Sequence, residues 1–547
     1  MCVEFFYSSS ILDGGQIRFD AGRRNELTHP TLKKKNKSFK MDIESSTYIK
    51  KILQARVYDV AEKTPLDKAT NLSQRFNNEI WIKREDLQPV FSFKLRGAYN
   101  KIVNLPEEDL NRGVIAASAG NHAQGVALSA EKLGIPATIV MPKTTPEIKV
   151  TAVRRYGAEV VLHGTAYDDA SHHAQLLLEQ QGLSYIHPYD DVDVIAGQGT
   201  IGMEILQQHN GPLEAIFVPV GGGGLIAGIA AYVKYLRPEI KVIGVEPVDS
   251  ACLHAALQAG ERVTLDQVGI FADGVAVRQV GKLPFDIARQ YVDEVVLVNT
   301  EEICAAIKDI FDETRIITEP AGALGLAGLK QYVTRTQCSG QHLVTIASGA
   351  NMNFDRLGYV SERSEIGEQR EALMAVTIPE RPGSFHEFCH AIGHHFITEF
   401  NYRYADDKEA HLFVGLRLNE GFAKKDRLMI KLRDKGYAVI DLTDNDMAKT
   451  HIRHTVGGRT QHVRHERLYR FEFPERPGAL LHFLSRMGQR WNISLFHYRN
   501  HGSAYGRVLI GIQVLDEQLK AFQDFLDDLG YAYWNEADNP AYRLFLN

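Results

Sequence analysis

Ala215-Ile216-Phe217-Val218-Pro219-Val220-Gly221-Gly222-Gly223-Gly224-Leu225 is an apolar run that breaks into four glycines and resumes as helix-spaced apolar sequence toward Leu236. An unbroken run of this length reads as a parallel strand buried on both faces. The four glycines free the backbone to turn several N–H groups toward one point at the head of a helix, where the dipole favours an anion. The stretch therefore predicts a strand, a phosphate cradle of Val220 and Gly221 to Gly224, and a helix. A flexible connection is the alternative, although linkers rarely stand directly between a buried strand and a helix. The pattern is neither GxGxxG nor GxxxxGK[ST], so dinucleotide and nucleoside-triphosphate sites lose support.

Working outward, Val114–Ala117, Ala137–Met141, Glu159–Leu162, Val242–Val245 and Val344–Ala347 repeat the apolar pattern between helical stretches from Tyr48 to about Leu357. This predicts an α/β region, whose ligands bind beyond the carboxyl ends of the strands. Two further loops follow such ends. Ser118-Ala119-Gly120-Asn121-His122 offers backbone donors and one amide, suited to a carboxylate and a neighbouring oxygen, but a ligand-free helix cap explains the same residues. His122 alone reads as a packed or surface histidine. Ser348-Gly349-Ala350-Asn351 places a hydroxyl that can face a heteroaromatic nitrogen, and is also ordinary turn chemistry. In Ser92-Phe93-Lys94-Leu95-Arg96-Gly97-Ala98, Lys94 stands between apolar neighbours before a helical run. Such an amine can become a Schiff-base nucleophile, or it can snorkel to solvent.

The chain has 547 residues, which implies about three or four structural units. Hydrophobic residues at 44 % and charged ones at 24 % indicate a folded, soluble protein rather than a fibrous or disordered chain. Sixty-two basic against 68 acidic residues give a net charge of −6, so no global positive field exists to hold nucleic acid or an anionic membrane. No segment has the roughly 18 unbroken apolar residues of a membrane span. The five cysteines form no CxxC pair and suit a reducing cytoplasm. Residues 1–40 carry a basic run, Lys33 to Lys37, without sustained periodicity, and read as a disordered extension or a misassigned start.

The last third repeats itself. Pro379-Glu380-Arg381-Pro382-Gly383 returns as Pro474-Glu475-Arg476-Pro477-Gly478, Asn401-Tyr402-Arg403 as His497-Tyr498-Arg499, and Gly436-Tyr437 as Gly530-Tyr531. Each copy reads strand, helix, strand, strand, helix, strand, a ferredoxin-like βαββαβ unit. The first covers Leu373 to Ile378, Ser384 to Ile392, Ile397 to Tyr404, Ala410 to Leu418, Lys425 to Lys435 and Tyr437 to Leu442. The histidines from His451 to His465 lack metal-ligand spacing and read as a solvated linker.

Together SFKLRGA, SAGNHAQG, VGGGGL and ASGAN, in this order, resemble the fold-type II pyridoxal 5′-phosphate enzymes, specifically the threonine and serine dehydratases, over about Tyr48 to Arg356. The resemblance implies that Lys94 carries the cofactor through a Schiff base with Phe93 beside the ring. It also implies that Asn121 meets the phenolic oxygen, that Val220 and Gly221 to Gly224 hold the phosphate, and that Ser348 faces the pyridine nitrogen. Ser118, Ala119, Gly120 and His122 would line the substrate side. Lys94 would take the α-proton, after which the β-hydroxyl leaves to give ammonia and a 2-oxo acid. Ala119 stands where the similar motif of serine racemases carries a second serine, which removes the opposite-face acid–base group. Cys252 stands where cation-dependent relatives place an aspartate, six residues after Glu246, so no metal is expected.

The repeats resemble the ACT-like regulatory domains of biosynthetic threonine dehydratases, in which isoleucine inhibits and valine opposes it. An assembly role alone would produce the same repeats. The expected organisation is a catalytic region over 41–365, ACT-like domains over 370–443 and 467–547, and a linker over 444–466. Tyr402, Arg403, Tyr498 and Arg499 are candidate effector contacts. The resemblance implies L-threonine dehydration to 2-oxobutanoate for isoleucine synthesis, in a cytoplasmic homotetramer. The alternatives are a serine-preferring β-eliminase and a non-catalytic amino-acid-sensing protein.

Overall fold

Each apolar run singled out above between Val114 and Ala347 forms a parallel strand. In the computed structural model, Glu159–Leu162, Ala137–Met141, Val114–Ala117 and Ser184–Tyr185 lie side by side in that order as one parallel sheet. The structure describes residues 43–547 except 368–370, 394, 405–406, 419–421, 446, 449–451, 456–462, 475–477, 500–504, 541, 543–545 and 547. The extension expected over 1–40 lies outside the described residues.

A second sheet has the order Leu66–Lys68, Glu79–Arg84, His342–Ala347, Ala215–Pro219, Lys241–Pro247, Glu294–Val298, parallel except at its first strand. Its register, with Leu343 beside Ala215 and Ala347 beside Arg84, brings three strand ends out at one edge. Ser348 and the glycine run leave from two of them, and the chain bearing Lys94 follows the third. Helices pack on both sheets, which is why central strands such as Val114–Ala117 and Ala215–Pro219 are apolar throughout.

The helix Lys94–Val103 packs on Val192–Gln208 at close range, because a Cβ on Gly197 would lie 2.7 Å from the Cα of Gly97. The same two helices share a buried ion network. Arg96 holds Glu85 (2.8 Å) and Glu204 (2.6 Å), and Lys83 holds Glu204 at 2.5 Å, all four side chains fully buried.

The C-terminal third forms one eight-stranded antiparallel sheet: Ala438–Asp441, Glu371–Pro379, Glu409–Arg417, Phe396–Arg403, Asn492–Arg499, Tyr505–Gln513, Glu466–Pro474, Ala532–Asn535. The two halves are mirror sequences of the same strand order, joined where Phe400 pairs with Tyr498 and Asn401 with its own counterpart, His497. A local two-fold axis therefore passes through that pair. Both copies break register at the same place, between Ile397 and Glu399 and between Ile493 and Leu495. Both start their first helix on a glycine with left-handed φ, +93° at Gly383 and +89° at Gly478, which explains the recurrence of that residue. One continuous hydrophobic core, including Phe388, Phe400, Phe483 and Phe496, runs through both copies.

The connection over 444–466 is not solvated throughout. Arg453, 4 % exposed, bonds Glu399 Oε1 at 2.8 Å, with Glu371 alongside at 3.6 Å. Two carboxylates buried at the sheet require a cation, and this segment supplies it.

Candidate active site

Backbone bonds bring the Lys94 and Ser348 segments together. Phe93 N–H donates to Ser348 O at 3.3 Å, Ala350 N–H to Phe91 O at 2.8 Å, and Ser92 bridges Gly349. Lys94 opens its helix, half-buried, with Nζ donating to Pro188 O at 3.1 Å and lying 5.3 Å from the Phe93 ring centre. Burial pulls the ammonium down to about 8, opposed by the Glu319 charge. The amine is therefore held inside the protein and does not reach out to solvent.

Asn121 stands at the head of the helix Asn121–Leu133. Its Nδ2 donates to Glu319 Oε1 and its Oδ1 accepts from Asn351 Nδ2, each at 2.6 Å. Ser118, Ala119 and Gly120 are half-buried beside it, and a Cβ on Gly120 would meet nothing within 4 Å, so this loop faces open space. His122 turns the other way. It is 4 % exposed, its Nε2 lies 2.7 Å from Ile186 O, and burial pushes it down to about 3. It is neutral and donates to that carbonyl, the packed reading that the sequence allowed.

The glycine loop links Ala215–Pro219 to the helix Gly224–Leu236, with Val220 buried at its start. Gly223 has φ +91°, and a Cβ on Gly222 would lie 2.2 Å from Tyr189 Cδ1. Only glycine lets the loop lie this close to Tyr189 while heading a helix, so the donor set and the cradle fit a phosphate group. Ser348 is 4 % exposed and its Oγ donates to Ala321 O at 3.3 Å, leaving oxygen lone pairs to accept. An amine, an amide, a neutral hydroxyl and an anion cradle together suit a phosphorylated pyridine aldehyde.

Glu319 is absent from the residues selected on sequence. It is 5 % exposed, and burial raises it to about 7, with Asp273 adding and Asn121 and nearby lysines opposing. A lone acid before Pro320 carries no periodic or motif signal; its placement as the helix cap of Pro320–Thr336 was the available hint. At the expected non-metal position, Glu246 accepts N–H bonds from Leu253 and His254, both at 2.8 Å, capping the helix Cys252–Ala259.

In the repeats, Tyr402 bonds Glu380 through its hydroxyl. Arg403 pairs with Glu466 at 2.5 Å and donates to Leu546 O at 2.8 Å. Both side chains are thus engaged by the protein itself. Tyr498 lines a partly open cavity of about 560 Å³ with Gly393, Phe396, Ala479 and Phe496. The dyad-related cavity, about 220 Å³, is lined by Trp491 and Asn492 where the larger one has His395 and Phe396. The side chain of Arg499 lies outside the described residues.

A family model described as pyridoxal-phosphate dependent enzyme matches residues 57–349, and one described as the C-terminal regulatory domain of threonine dehydratase matches 362–452 and 457–546. The chain is 58% identical over 500 residues to the biosynthetic L-threonine dehydratase of Pasteurella multocida, covering 91% of this chain and 97% of that one. It is 50% identical over 531 residues to the chloroplastic biosynthetic threonine dehydratase of Arabidopsis thaliana, covering 97% and 89%. Among solved structures, the processed form of threonine deaminase isoform 2 from Solanum lycopersicum matches with TM-score 0.58 and 51% identity, over 59% of this chain and 88% of that one. Serine racemase from Dictyostelium discoideum matches with TM-score 0.52 and 34% identity, over 56% and 99%.

Proposed function

Since the chain belongs to the pyridoxal-phosphate dependent enzymes and carries the regulatory domain of the threonine dehydratases, we propose that it is a biosynthetic L-threonine dehydratase. It converts L-threonine to 2-oxobutanoate and ammonia, for isoleucine formation. The observation that carries this reading is the convergence of the Lys94, Asn121 and Ser348 segments beside the strand end from which the glycine loop leaves. When bound, pyridoxal phosphate supplies an electron sink for charge developing at the substrate Cα.

The chain's own residues do the rest. Lys94 would hold the cofactor, and its amine, when free, would take the α-proton; an amine brought down to about 8 by burial is partly neutral near neutral pH. Gly221 to Gly224 hold the phosphate by backbone N–H groups, and Phe93 packs beside the ring. Asn121 donates to the phenolic oxygen. Ser348 presents a neutral hydroxyl rather than an acid to the ring nitrogen, which favours β-elimination over transamination. Ser118, Ala119 and Gly120 receive the substrate carboxylate. Ala119 brings no hydroxyl and His122 no available proton, so the opposite face lacks an acid–base group and racemisation is disfavoured.

Isoleucine as inhibitor and valine as its antagonist bind in the regulatory region, and the larger cavity beside Tyr498 supports a site there. The assembly is a homotetramer in the cytoplasm, with the catalytic region over 41–365 and the regulatory copies over 370–443 and 467–547. Among the described residues no helix is long and apolar enough to cross a membrane. Lys94→Ala tests the assignment: loss of the bound-cofactor absorbance and of turnover, with the fold retained, is expected. Unchanged turnover would refute it.

A further inference from the structure

Three neighbours fix the direction of the Asn121 amide. The Val90 carbonyl can only accept, so the Asn351 atom 2.9 Å from it is the amide nitrogen. The same nitrogen gives its second hydrogen to Asn121 Oδ1 at 2.6 Å. Asn121 must therefore turn its Nδ2 toward Glu319, whose Oε1 accepts at 2.6 Å. That nitrogen carries two hydrogens, and the second has no protein acceptor among the described residues. Glu319 is itself held: its N–H donates to Gly349 O at 3.1 Å, and a Cβ on Gly349 would lie 2.4 Å from Oε1, so glycine makes room for the carboxylate.

We infer that Glu319 is a positioning residue that, with Asn351, aims the free amide hydrogen of Asn121 at the phenolic oxygen of the bound cofactor. The inference rests on the cofactor reading above. Without the carboxylate, the amide can rotate or turn its donor away, and the ligand oxygen loses a hydrogen bond that the fold otherwise supplies in advance.

The test uses the holoenzyme and reads the absorption band of the bound cofactor beside kcat and KM. Glu319→Ala is expected to keep the cofactor, shift the band, and lower kcat about 10- to 100-fold with KM within about threefold. Glu319→Gln keeps an acceptor oxygen and should restore the wild-type band and most of the rate, which a proton-transfer role would not permit. In an Asn121→Ala background, Glu319→Ala should shift the band no further. Asn351→Ala removes the other restraint and should move the band in the same direction, even if Glu319→Ala does not fold. An unmoved band in Glu319→Ala or, if that variant does not fold, in Asn351→Ala, a Gln variant as impaired as Ala, or additive shifts on Asn121→Ala would overturn the positioning role alone. A wild-type protein with no bound-cofactor band would overturn the cofactor reading and this inference with it.

Discussion

Replacing Gly222 by alanine puts one methyl group against the face of a ring. The new Cβ would sit 2.2 Å from Tyr189 Cδ1 and 2.3 Å from both Cε1 and Cγ. Ordinary contact needs the ring to retreat by roughly 1.5 Å. Tyr189 has little room to do so: its ring packs edge-on against His187 at 4.7 Å, and its neighbour Pro188 provides the carbonyl that receives Lys94 Nζ. Overpacking of this kind costs about 1–3 kcal/mol. If the cradle must recover its shape to bind, that strain appears as about 5- to 150-fold weaker affinity for pyridoxal phosphate. Titrating the apoenzyme with the cofactor measures it. Gly358→Ala is the matched control, since its Cβ would meet nothing within 4 Å. Binding by Gly222→Ala within about twofold of wild type would refute the cradle argument.

Arg96→Met leaves two fully buried carboxylates, Glu85 and Glu204, with Lys83 as the one cation bonded to either among the described residues, and is expected to cost about 3–5 kcal/mol, read as cofactor release at lower urea; an unchanged midpoint would contradict it. Only the neutral Lys94 amine attacks the cofactor aldehyde, so the rate of cofactor capture should rise with pH up to about 8 and level off above it. A rate still climbing steeply well above pH 9 would mean that burial does not lower this lysine. Tyr498→Ala is expected to raise the isoleucine concentration needed for half-inhibition at least about tenfold while the uninhibited rate stays near wild type; unchanged inhibition would move the effector site elsewhere.

Much of the catalytic fold is legible in sequence because strands covered on both faces are apolar at every position, as Ala215–Pro219 and Val114–Ala117 are. Glu79–Arg84 escapes that rule: it ends in Lys83 and Arg84, and the charge on Lys83 is neutralised inside by Glu204, 121 residues away. No local pattern reveals such a pairing. The repeats disclose two similar units but not their fusion, because the pairing of Phe396–Arg403 with Asn492–Arg499 is set by the shared core and not by either copy. Arg403 reads as a candidate effector contact in sequence and is paired with Glu466 in the structure. Lys94, Asn121 and Ser348 are legible because each follows a strand or opens a helix. Glu319 is not, because its meaning lies in Asn121, 198 residues away.

The most direct measurement is 2-oxo acid release by the purified protein from L-threonine and from L-serine, with and without isoleucine. Faster release from threonine, suppressed by isoleucine, is the predicted result. Preference for serine with no response to isoleucine would contradict both the proposed reaction and the regulatory role of the repeats.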